Sequence, residues 1–310
     1  MRRIQVTQYL IGTGGWAYFP HKPTLKAYSK AFNFVEVNYT FYEYPNPRTV
    51  ERWRRSVPPD FTFTVRCHQD LTHKIGLKPD DQAHVVFSQM IGVCRILNAP
   101  FLHLLTPASY VFSDREIDQA KDFFSTINTK GVRLAWEVRS PMTPKLAQMM
   151  QDFGIVHSAD LSKEEPTFKS EDVYTRLFGK GEHNIYQFDD EELQEIEQKI
   201  VKAEAKKVLV SFHGIRMNTD AARFKRYVET RTFIPVTAYT GIDSIKAVLQ
   251  EDAEFPATRD QLIKHQGWKV IDLTVDKRTH LSQLLFQIPE KTYRNVSDVT
   301  TELRQLSRRS

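Results

Sequence analysis

The chain has little cysteine and no long apolar run, and both absences narrow the class of protein. Its 310 residues include two cysteines, Cys67 and Cys94, whereas a small secreted domain held by disulfides carries many more. No stretch approaches the roughly 18 consecutive apolar residues of a membrane-spanning helix. The first residues also lack the apolar core of a secretory signal. We therefore expect a cytoplasmic protein with two buried, reduced thiols and no membrane partner.

A large excess of charge of one sign is also missing. The chain has 43 Lys and Arg against 38 Asp and Glu, a net charge of +5, which does not by itself identify a nucleic-acid partner. The excess is concentrated in residues 1–66, which contain ten basic and four acidic side chains. This segment is either a solvated basic face or part of an anion-binding surface. The content of 41% hydrophobic residues is that of an ordinary globular protein.

Short apolar runs alternate along the chain with longer segments of helical period, as in βαβ units around a parallel sheet. Eight strands and seven helices within about 230 residues indicate an α/β fold, a (β/α)8 TIM-type barrel, rather than a doubly wound sheet. The predicted strands are Tyr9–Thr13, Phe34–Asn38, Phe61–Cys67, Phe101–Leu105, Val132–Glu137, Ile155–Ser158, Val173–Phe178 and Lys207–Phe212. The link between the sixth and seventh strands is predicted to be a loop without a helix.

The pattern changes after residue 231 to several short helical segments. They are Ile242–Gln250, Thr258–His265, Lys277–Gln287 and Asn295–Leu306. We therefore predict a barrel domain over residues 1–235 and a small helical appendage over residues 236–310. The appendage contains nearly balanced charge, so we interpret it either as a packing or protein-partner module or as a segment that reads nucleic acid.

Function in such a barrel is expected at the mouth, the rim where the strands end and the loops to the helices begin. The first strand leads into Gly12 and Gly14, which fit a loose dinucleotide pattern. No helix follows, so we predict a tight turn that brings Trp16 and Tyr18 over the mouth. The alternative is that these two aromatic side chains form a hydrophobic plug.

The period-two rule for strands places several polar side chains inside the barrel. In FVEVN, Glu36 and Asn38 alternate with valines, and Tyr39 begins an aromatic loop. In FTFTVRCHQD, Arg66 and His68 share one face. Because a buried carboxylate is costly unless it is paired or used, Glu36 is a candidate catalytic residue.

Further candidates end the later strands. Glu137 and Arg139 stand two residues apart, as a structural ion pair or as a carboxylate base beside an anion-binding guanidinium. His103 is either a ligand residue or a buried histidine with its hydrogen bonds satisfied. The list is completed by Asp160, Arg176 and His213. Glycines and cations after strands seven and eight, in Gly179–Gly181 and His213–Arg216, are the residue types that hold phosphate in many barrels.

These motifs in this order resemble a known family. GTGGWAY, VEVNYTFYEYP, VPPDFTFTVRCHQDLTH, AWEVRS, RLFG and VLVSFHG are similar to the YecE-like TIM-barrel family, domain of unknown function 72. The resemblance implies a TIM barrel with no assigned activity. Departures from the motifs are Gly14 for the usual Ser, Arg66 for Lys, Phe178 for His, and His213-Gly214 for a pair of Asn. The segment EFPATRDQLIKHQGW resembles a second small helical family, domain of unknown function 2795.

We expect the mouth to bind a phosphate-bearing ligand, either nucleic acid or a nucleotide, and a phosphodiester hydrolase is one function of such a site. Glu36 or Glu137 would be the general base, and Trp16 and Tyr39 would stack on a base. Arg66, Arg139 and Arg176 would clamp the anion. The histidines His68, His103 and His213 would act in proton transfer or hold a divalent metal, with Asp160 nearby.

Two alternatives stay open at this level. In one, the same arginines and carboxylates neutralise one another in a scaffold that binds nucleic acid or protein without catalysis. In the other, the barrel is an enzyme for a small sugar phosphate. No compact HExxH motif identifies a metal, and no GxSxG elbow indicates a serine nucleophile.

Overall fold

A computed structural model describes residues 7–20 and 23–307. Its first part consists of eight parallel strands with helices between them. The strands are β1 (Gln8–Gly14), β2 (Phe34–Val37), β3 (Thr62–Arg66), β4 (Phe101–Thr106), β5 (Arg133–Val138), β6 (Val156–His157), β7 (Asp172–Leu177) and β8 (Lys207–Phe212). The helices are α1 (Leu25–Ala31), α2 (Pro47–Arg55), α3 (Asp81–Leu97), α4 (Asp114–Thr126), α5 (Pro144–Asp152), α6 (Asp190–Ala203) and α7 (Met217–Thr230).

The strands follow one another in the order of a closed barrel. The sheet runs β6-β5-β4-β3-β2-β1-β8-β7, and all of its pairings are parallel. A parallel bridge between Ala159 and Thr175 joins the two ends, where the Leu161 backbone N–H also donates to Thr175 Oγ1 at 3.2 Å. The predicted (β/α)8 barrel is confirmed, including the loop that links β6 to β7 without a helix.

The barrel interior is built in two layers, as the alternation along each strand requires. The lower layer is mainly apolar and is formed by Leu10, Phe34, Phe101, Ala135, Val156, Tyr174 and Leu209. Two residues further along each strand the interior becomes polar, at Gly12, Glu36, His103, Glu137, Ser158, Arg176 and Ser211. Because of the strand period, a polar layer at the mouth lies directly above the apolar layer.

Side chains fix the starts of the helices around the barrel. Thr24 accepts from Ala27 at the start of α1, and Asp80 accepts from Gln82 and Ala83 at the start of α3. Ser113 and Glu116 form a capping box on α4, an arrangement that satisfies backbone donors with no intrahelical partner. Cys67 and Cys94 are buried and unpaired, as predicted. No helix in the described part of the chain has both the length and the hydropathy of a membrane span.

The chain divides into two compact units. The first extends up to Leu177 and includes Lys199–His213; the second comprises Phe178–Gln198 and the chain from Gly214 onward. The boundary expected after residue 235 stays a prediction. Within the second unit Asp190 accepts from Arg223 Nη2 at 2.7 Å and from Arg278 Nη1 at 3.2 Å, which ties the start of α6 to two distant segments.

The C-terminal segment contains the predicted helices and short strands that were not predicted. Its elements are α8 (Ile242–Asp252), β9 (Ala257–Thr258), α9 (Arg259–Gln266), β10 (Val270–Asp272), β11 (Arg278–His280), α10 (Leu281–Leu285), β12 (Thr292–Tyr293) and α11 (Val296–Ser307). The helix predicted over Lys277–Gln287 was too long, because Arg278–His280 pairs with β10 as a strand. A strand of two or three residues is too short to show a period of two.

The first test of the fold concerns Tyr28, whose buried hydroxyl joins β1 to β2. It accepts from the Thr13 backbone N–H at 2.8 Å and donates to the Phe34 carbonyl at 2.9 Å. We expect Tyr28→Phe to lower the free energy of unfolding by about 1–3 kcal/mol, because the two backbone groups lose their partner. Urea denaturation measures this loss. Tyr42→Phe is the control, since the Tyr42 side chain is exposed, and an equal effect of both changes would contradict the role of Tyr28.

Candidate ligand site in the barrel mouth

Arg176 on β7 is the centre of the polar layer. Its Nε atom donates to Glu36 Oε1 at 3.1 Å, and its Nη1 atom donates to Glu137 Oε2. Arg176 and Glu36 are both buried, so each charge depends on the other for compensation. Burial by itself would lower the pKa of Arg176, but the two carboxylates outweigh it and raise the pKa. Arg176 is therefore a permanent cation locked inside the barrel.

Tyr174 holds the second oxygen of Glu36. Its hydroxyl donates to Glu36 Oε2 at 2.7 Å and lies 2.8 Å from Thr64 Oγ1. Burial, and then the charge of Glu36, raises the pKa of Tyr174 well above its usual range. Tyr174 thus remains a neutral donor, and Glu36 is fixed on both oxygens. A carboxylate held in this way is positioned for structure rather than for free movement toward a substrate.

Glu137 connects Arg176 to the outer part of the mouth. Its Oε1 atom accepts from Arg139 Nε at 2.7 Å, while its other oxygen accepts from Arg176. Burial disfavours the charge of Glu137, but Arg176 and Arg139 together hold its pKa below the ordinary value. The predicted pair of Glu137 and Arg139 is therefore confirmed as an ion pair, and the low pKa makes Glu137 a weak base.

The two histidines in this layer are neutral. His213 Nε2 accepts from Arg176 Nε at 3.2 Å and lies 2.9 Å from Ser211 Oγ, and His103 Nε2 lies 3.1 Å from Ser158 Oγ. Burial, followed by the charge of Arg176, lowers the pKa of both histidines well below the usual value. They contribute hydrogen bonds to the mouth and no positive charge at neutral pH.

Arg66 differs from the other cations of the mouth. Its guanidinium carbon lies 3.7 Å from the centre of the Phe41 ring, which is cation–π contact. The Nε atom is buried without a hydrogen-bond partner, and the residues that the structure describes provide no carboxylate for it. Burial, and then the nearby charge of Arg176, lowers the pKa of Arg66 to about 10. At neutral pH it is a half-buried cation that forms no ion pair with a carboxylate of the described residues, although Glu36 and Glu137 stabilise its charge from a longer distance.

Three further polar atoms near the strand ends are also buried without a hydrogen-bond partner among the described residues. They are Asn38 Oδ1 after β2, His103 Nδ1 on β4 and Ser140 Oγ after β5. Buried polar groups in folded proteins are nearly always satisfied. Together with Arg66 they supply hydrogen-bonding capacity on four neighbouring strands of one barrel end.

His68 belongs to a separate group just beyond β3. Its Nδ1 atom accepts from the Asp70 backbone N–H at 3.1 Å, and the Tyr44 ring stacks on the imidazole with a centroid distance of 3.8 Å. Asp70 begins a short π-helix, Asp70–Ile75, an element that is frequent at functional sites. Lys74 in particular keeps the pKa of Asp70 below its usual value. Because Nδ1 accepts a hydrogen bond, the neutral imidazole carries its proton on Nε2, the nitrogen that can donate a proton.

The remaining predicted residues lie outside this buried network. Trp16 contacts the Trp53 ring edge-on at 5.4 Å, and Tyr39 contacts the same ring at 5.9 Å. Tyr18 is 82% exposed, which argues against a hydrophobic plug at that position. Asp160 accepts from the backbone N–H of Ser162 at 3.0 Å and stabilises a turn.

The glycine loops predicted to hold phosphate have another role in the second unit. A Cβ at Gly179 would lie 2.2 Å from the Tyr186 ring, so the space beside this glycine is filled by protein. Lys180 pairs with Glu192 at 2.9 Å, and Arg216 pairs with Glu251. The glycines therefore permit close packing, and the cations of these loops are already paired.

The predicted metal-binding set also does not assemble as expected, because Glu36 and Glu137 are bound to Arg176. Within residues 7–20 and 23–307, the group with metal-ligand spacing is Asp189, Glu192 and His280 in the second unit. Asp189 and Glu192 cap α6 reciprocally, and Glu192 Oε2 lies 3.1 Å from His280 Nε2. Helix capping and an ion pair account for this group.

Sequence reasoning missed three residues of the mouth and its surroundings. Tyr174 precedes Arg176 by two positions, so the period-two rule places both side chains on one face. Trp53 carries no such signal, because a tryptophan on an amphipathic helix is usually a core residue. Ser140 follows its strand in an irregular segment, where no period applies.

Fold and site together define a (β/α)8 barrel protein with a buried arginine–carboxylate network and an unbalanced arginine at its mouth. A family model described as protein of unknown function DUF72 matches residues 10–238. The chain belongs to the DUF72 family. The similarity that the sequence shows to the YecE-like barrels is thereby confirmed, whereas the resemblance of the C-terminal segment to domain of unknown function 2795 stays a prediction.

Relatives include two named proteins. The chain is 31% identical to UPF0759 protein YunF of Bacillus subtilis over 102 residues, which are 30% of this chain and 35% of that protein. It is 30% identical to UPF0759 protein YecE of Escherichia coli over 105 residues, 34% of this chain and 37% of that one. The matched region thus spans about a third of each relative's length.

Two solved structures share the fold. A DUF72 family protein of Thermotoga maritima superposes with a TM-score of 0.59 at 23% identity, covering 72% of this chain and 99% of that one. A DUF72 family protein of Enterococcus faecalis gives a TM-score of 0.57 at 15% identity, with 73% and 98% covered. At these identities the likeness concerns the barrel and leaves the chemistry of the mouth to be argued from this chain.

The lowered pKa of Glu137 predicts how stability depends on pH. A carboxylate whose folded pKa lies below its unfolded value stabilises the protein fully above the unfolded value and loses this contribution as pH falls through the folded pKa. We expect Glu137→Gln to cost about 3 kcal/mol at pH 7, because Arg176 loses a charged partner. The difference from the wild type should shrink below about pH 4.5. Urea denaturation over a pH series measures it.

The control for this experiment is Glu171→Gln, which removes a carboxylate that pairs with Lys206 at the surface. Solvent screens such a pair, so this variant should behave nearly as the wild type. A Glu137→Gln penalty that stays constant across the pH series would contradict the assignment to the Glu137 charge.

Proposed function

We propose that the barrel mouth binds a phosphate-bearing ligand, a nucleotide or a nucleic acid, through Arg66. The observation that carries this proposal is the state of the Arg66 guanidinium: it is largely buried, stacked on Phe41, and without an acidic partner within the described residues. A buried cation is costly unless an anion compensates it. A phosphate group meets this need and matches the planar fork of an arginine.

The unpartnered atoms around Arg66 support a polar ligand rather than a simple anion alone. Asn38 Oδ1 is an acceptor, whereas Ser140 Oγ can donate or accept. Phosphate oxygens accept hydrogen bonds, so an acceptor such as Asn38 Oδ1 needs a donor on the ligand. The hydroxyl of a sugar or the amino group of a base supplies one, and a nucleotide carries both.

The distribution of charge distinguishes this proposal from a purely structural network. Arg176 is balanced by Glu36 and Glu137, and this part of the mouth fits the scaffold alternative. Arg66 has no such ion pair among the described residues, and Glu36 and Glu137 act on its charge only from a longer distance. Burial and repulsion from Arg176 both lower the pKa of Arg66. A bound anion would offset both effects.

The proposal predicts that Arg66→Gln lowers the affinity for nucleotide phosphate at least about tenfold, since hydrogen bonds to charged groups contribute about 1.5–3 kcal/mol. Isothermal titration calorimetry at low salt, with a nucleoside 5′-monophosphate, a sugar phosphate and inorganic phosphate, measures this affinity and ranks the ligands.

Arg95→Gln is the matched control, because Arg95 is an exposed arginine at the end of α3. This variant should bind as the wild type does. Wild-type protein that binds none of the three phosphates would overturn the proposal, and equal losses in the two variants would assign the effect to net charge rather than to Arg66.

Hydrolysis of a phosphodiester is a second function, and the pairing of His68 with Asp70 favours it. Glu36 and Glu137 are poorly suited as general bases, since both are fixed by Arg176 and the pKa of Glu137 is lowered. His68 accepts from the Asp70 backbone N–H at Nδ1, so its Nε2 atom carries the ring proton, and it follows Arg66 by two residues. It is therefore the acid–base group that fits a phosphate held at Arg66.

We expect His68→Gln to slow the cleavage of a labelled oligonucleotide at least about 100-fold while nucleotide binding is retained, as for loss of a general acid or base. The assay compares Mg²⁺, Mn²⁺, Zn²⁺ and EDTA. His265→Gln, a change at an exposed histidine on α9, should keep wild-type turnover. If wild-type protein cleaves nothing in any arm, the hydrolytic function is excluded and the binding proposal is judged by Arg66 alone.

A further inference from the structure

An aromatic and cationic strip lies on α2 and the two loops beside it. We call this set the α2 strip; its members are Trp16, Tyr39, Arg48, Arg52 and Trp53. The Trp16 and Tyr39 rings both contact Trp53 in edge-to-face geometry, at interplanar angles of 78° and 82°. Tyr39 is 51% exposed, whereas Trp16 and Trp53 are half-buried. Ring faces that remain accessible can stack on other planar groups.

The four arginines of α2 fall into two kinds. Arg54 donates to the carbonyls of Phe61 and Pro58, and Arg55 pairs with Glu51 at 2.6 Å. Arg48 and Arg52 are exposed, and no carboxylate of the described residues pairs with either of them; Arg52 bonds the Thr49 hydroxyl at 3.3 Å. Being four positions apart, they lie on one side of the helix. Arg48 and Arg52 are therefore two exposed cations, without an ion-pair partner among the described residues, on the helix that carries Trp53.

The α2 strip is continuous with the mouth through one short element. Tyr39 and Phe41 belong to the same 3₁₀ turn, Tyr39–Phe41. Tyr39 contacts Trp53, and Phe41 carries the Arg66 guanidinium at 3.7 Å. Asn38, immediately before the turn, donates to the Gly14 carbonyl at 3.1 Å, two residues before Trp16. A chain that leaves Arg66 can thus follow protein surface onto α2.

We propose that the α2 strip binds a single-stranded nucleic acid whose chain continues from the phosphate held at Arg66. Bases stack on the Trp16, Trp53 and Tyr39 rings, and Arg48 and Arg52 contact phosphates of the same strand. Alternating aromatic and cationic groups are the chemistry that binds single strands without reading their sequence. A duplex keeps its bases stacked inside, so its bases cannot use the rings. This inference rests on the proposed function and names its ligand class.

Fluorescence anisotropy over a salt series tests the proposal. The labelled ligands are oligo(dT) and oligo(U) of about 4 to 16 nucleotides, a span that covers common single-strand site sizes. Arg48→Gln and Arg52→Gln should each weaken binding and reduce the slope of log affinity against log salt by about 0.7, the value for one phosphate contact on a single strand. Arg55→Gln removes one charge from the same helix and should leave the slope unchanged, because Arg55 is engaged by Glu51.

The stacking part of the proposal has its own variants. Tyr39→Ala and Trp53→Leu should each weaken strand binding about 5- to 150-fold, which corresponds to about 1–3 kcal/mol for one stacked base. Neither should change the salt slope. Tyr39 is the more exposed of the two, so Tyr39→Ala keeps the test valid if Trp53→Leu does not fold. A duplex of equal length should bind more weakly than the strand.

The outcomes separate this inference from the proposed function. If a mononucleotide binds through Arg66 as tightly as the longer strands do, and the Arg48 and Arg52 variants match Arg55→Gln, the α2 strip is overturned and the mouth site stands. If a duplex binds as tightly as the strand, stacking is overturned. If neither nucleotide nor strand binds, both proposals fail. If the strand does bind, the comparison of oligo(dT) with oligo(U) decides between DNA and RNA as the source of the strand.

Discussion

The structure of the mouth depends on one buried cation, Arg176. A guanidinium inside a barrel requires carboxylates close to it, and Glu36 and Glu137 supply them from β2 and β5. Those two strands lie on opposite sides of β3 and β4 in the sheet, so the ion pairs cross the barrel interior. The charge of Arg176 thereby fixes side chains on β2, β5 and β7. Glu36 in turn accepts from Tyr174, and Glu137 accepts from Arg139.

The same constraint shows why the arginines of the mouth do not share one role. Carboxylates bound to Arg176 have little capacity left for other cations, and Glu137 already accepts from Arg139 as well. Arg66 is left to the Phe41 ring, which stabilises a cation less than a carboxylate does. Arg176 thus forms two ion pairs, whereas Arg66 at the rim forms none with the described residues. The scaffold alternative therefore fits the Arg176 network, and the proposed ligand binding concerns Arg66.

Much of this arrangement was predictable from the sequence, and the limits have physical causes. The period of two placed Glu36, Arg66, Glu137 and Arg176 inside the barrel, because successive side chains of a strand alternate between its faces. It could not tell which cation pairs with which carboxylate, since that depends on strand order and register around a closed sheet. Trp53 escaped prediction because its partners come from two other loops. The β10 and β11 pair was missed because three residues carry no period.

Two departures from the family motifs meet at one place in the mouth. A Cβ atom at Gly14 would lie 2.2 Å from His213 Cε1, so the His213 ring occupies the space that a serine would need. His213 in turn accepts from Arg176. A third departure, Arg66 in place of lysine, creates the flat contact with Phe41, which an ammonium group does not reproduce. Because these changes alter side chains of the mouth, the chemistry of this mouth follows from its own residues, and barrels that share the fold at 15% to 23% identity do not determine it.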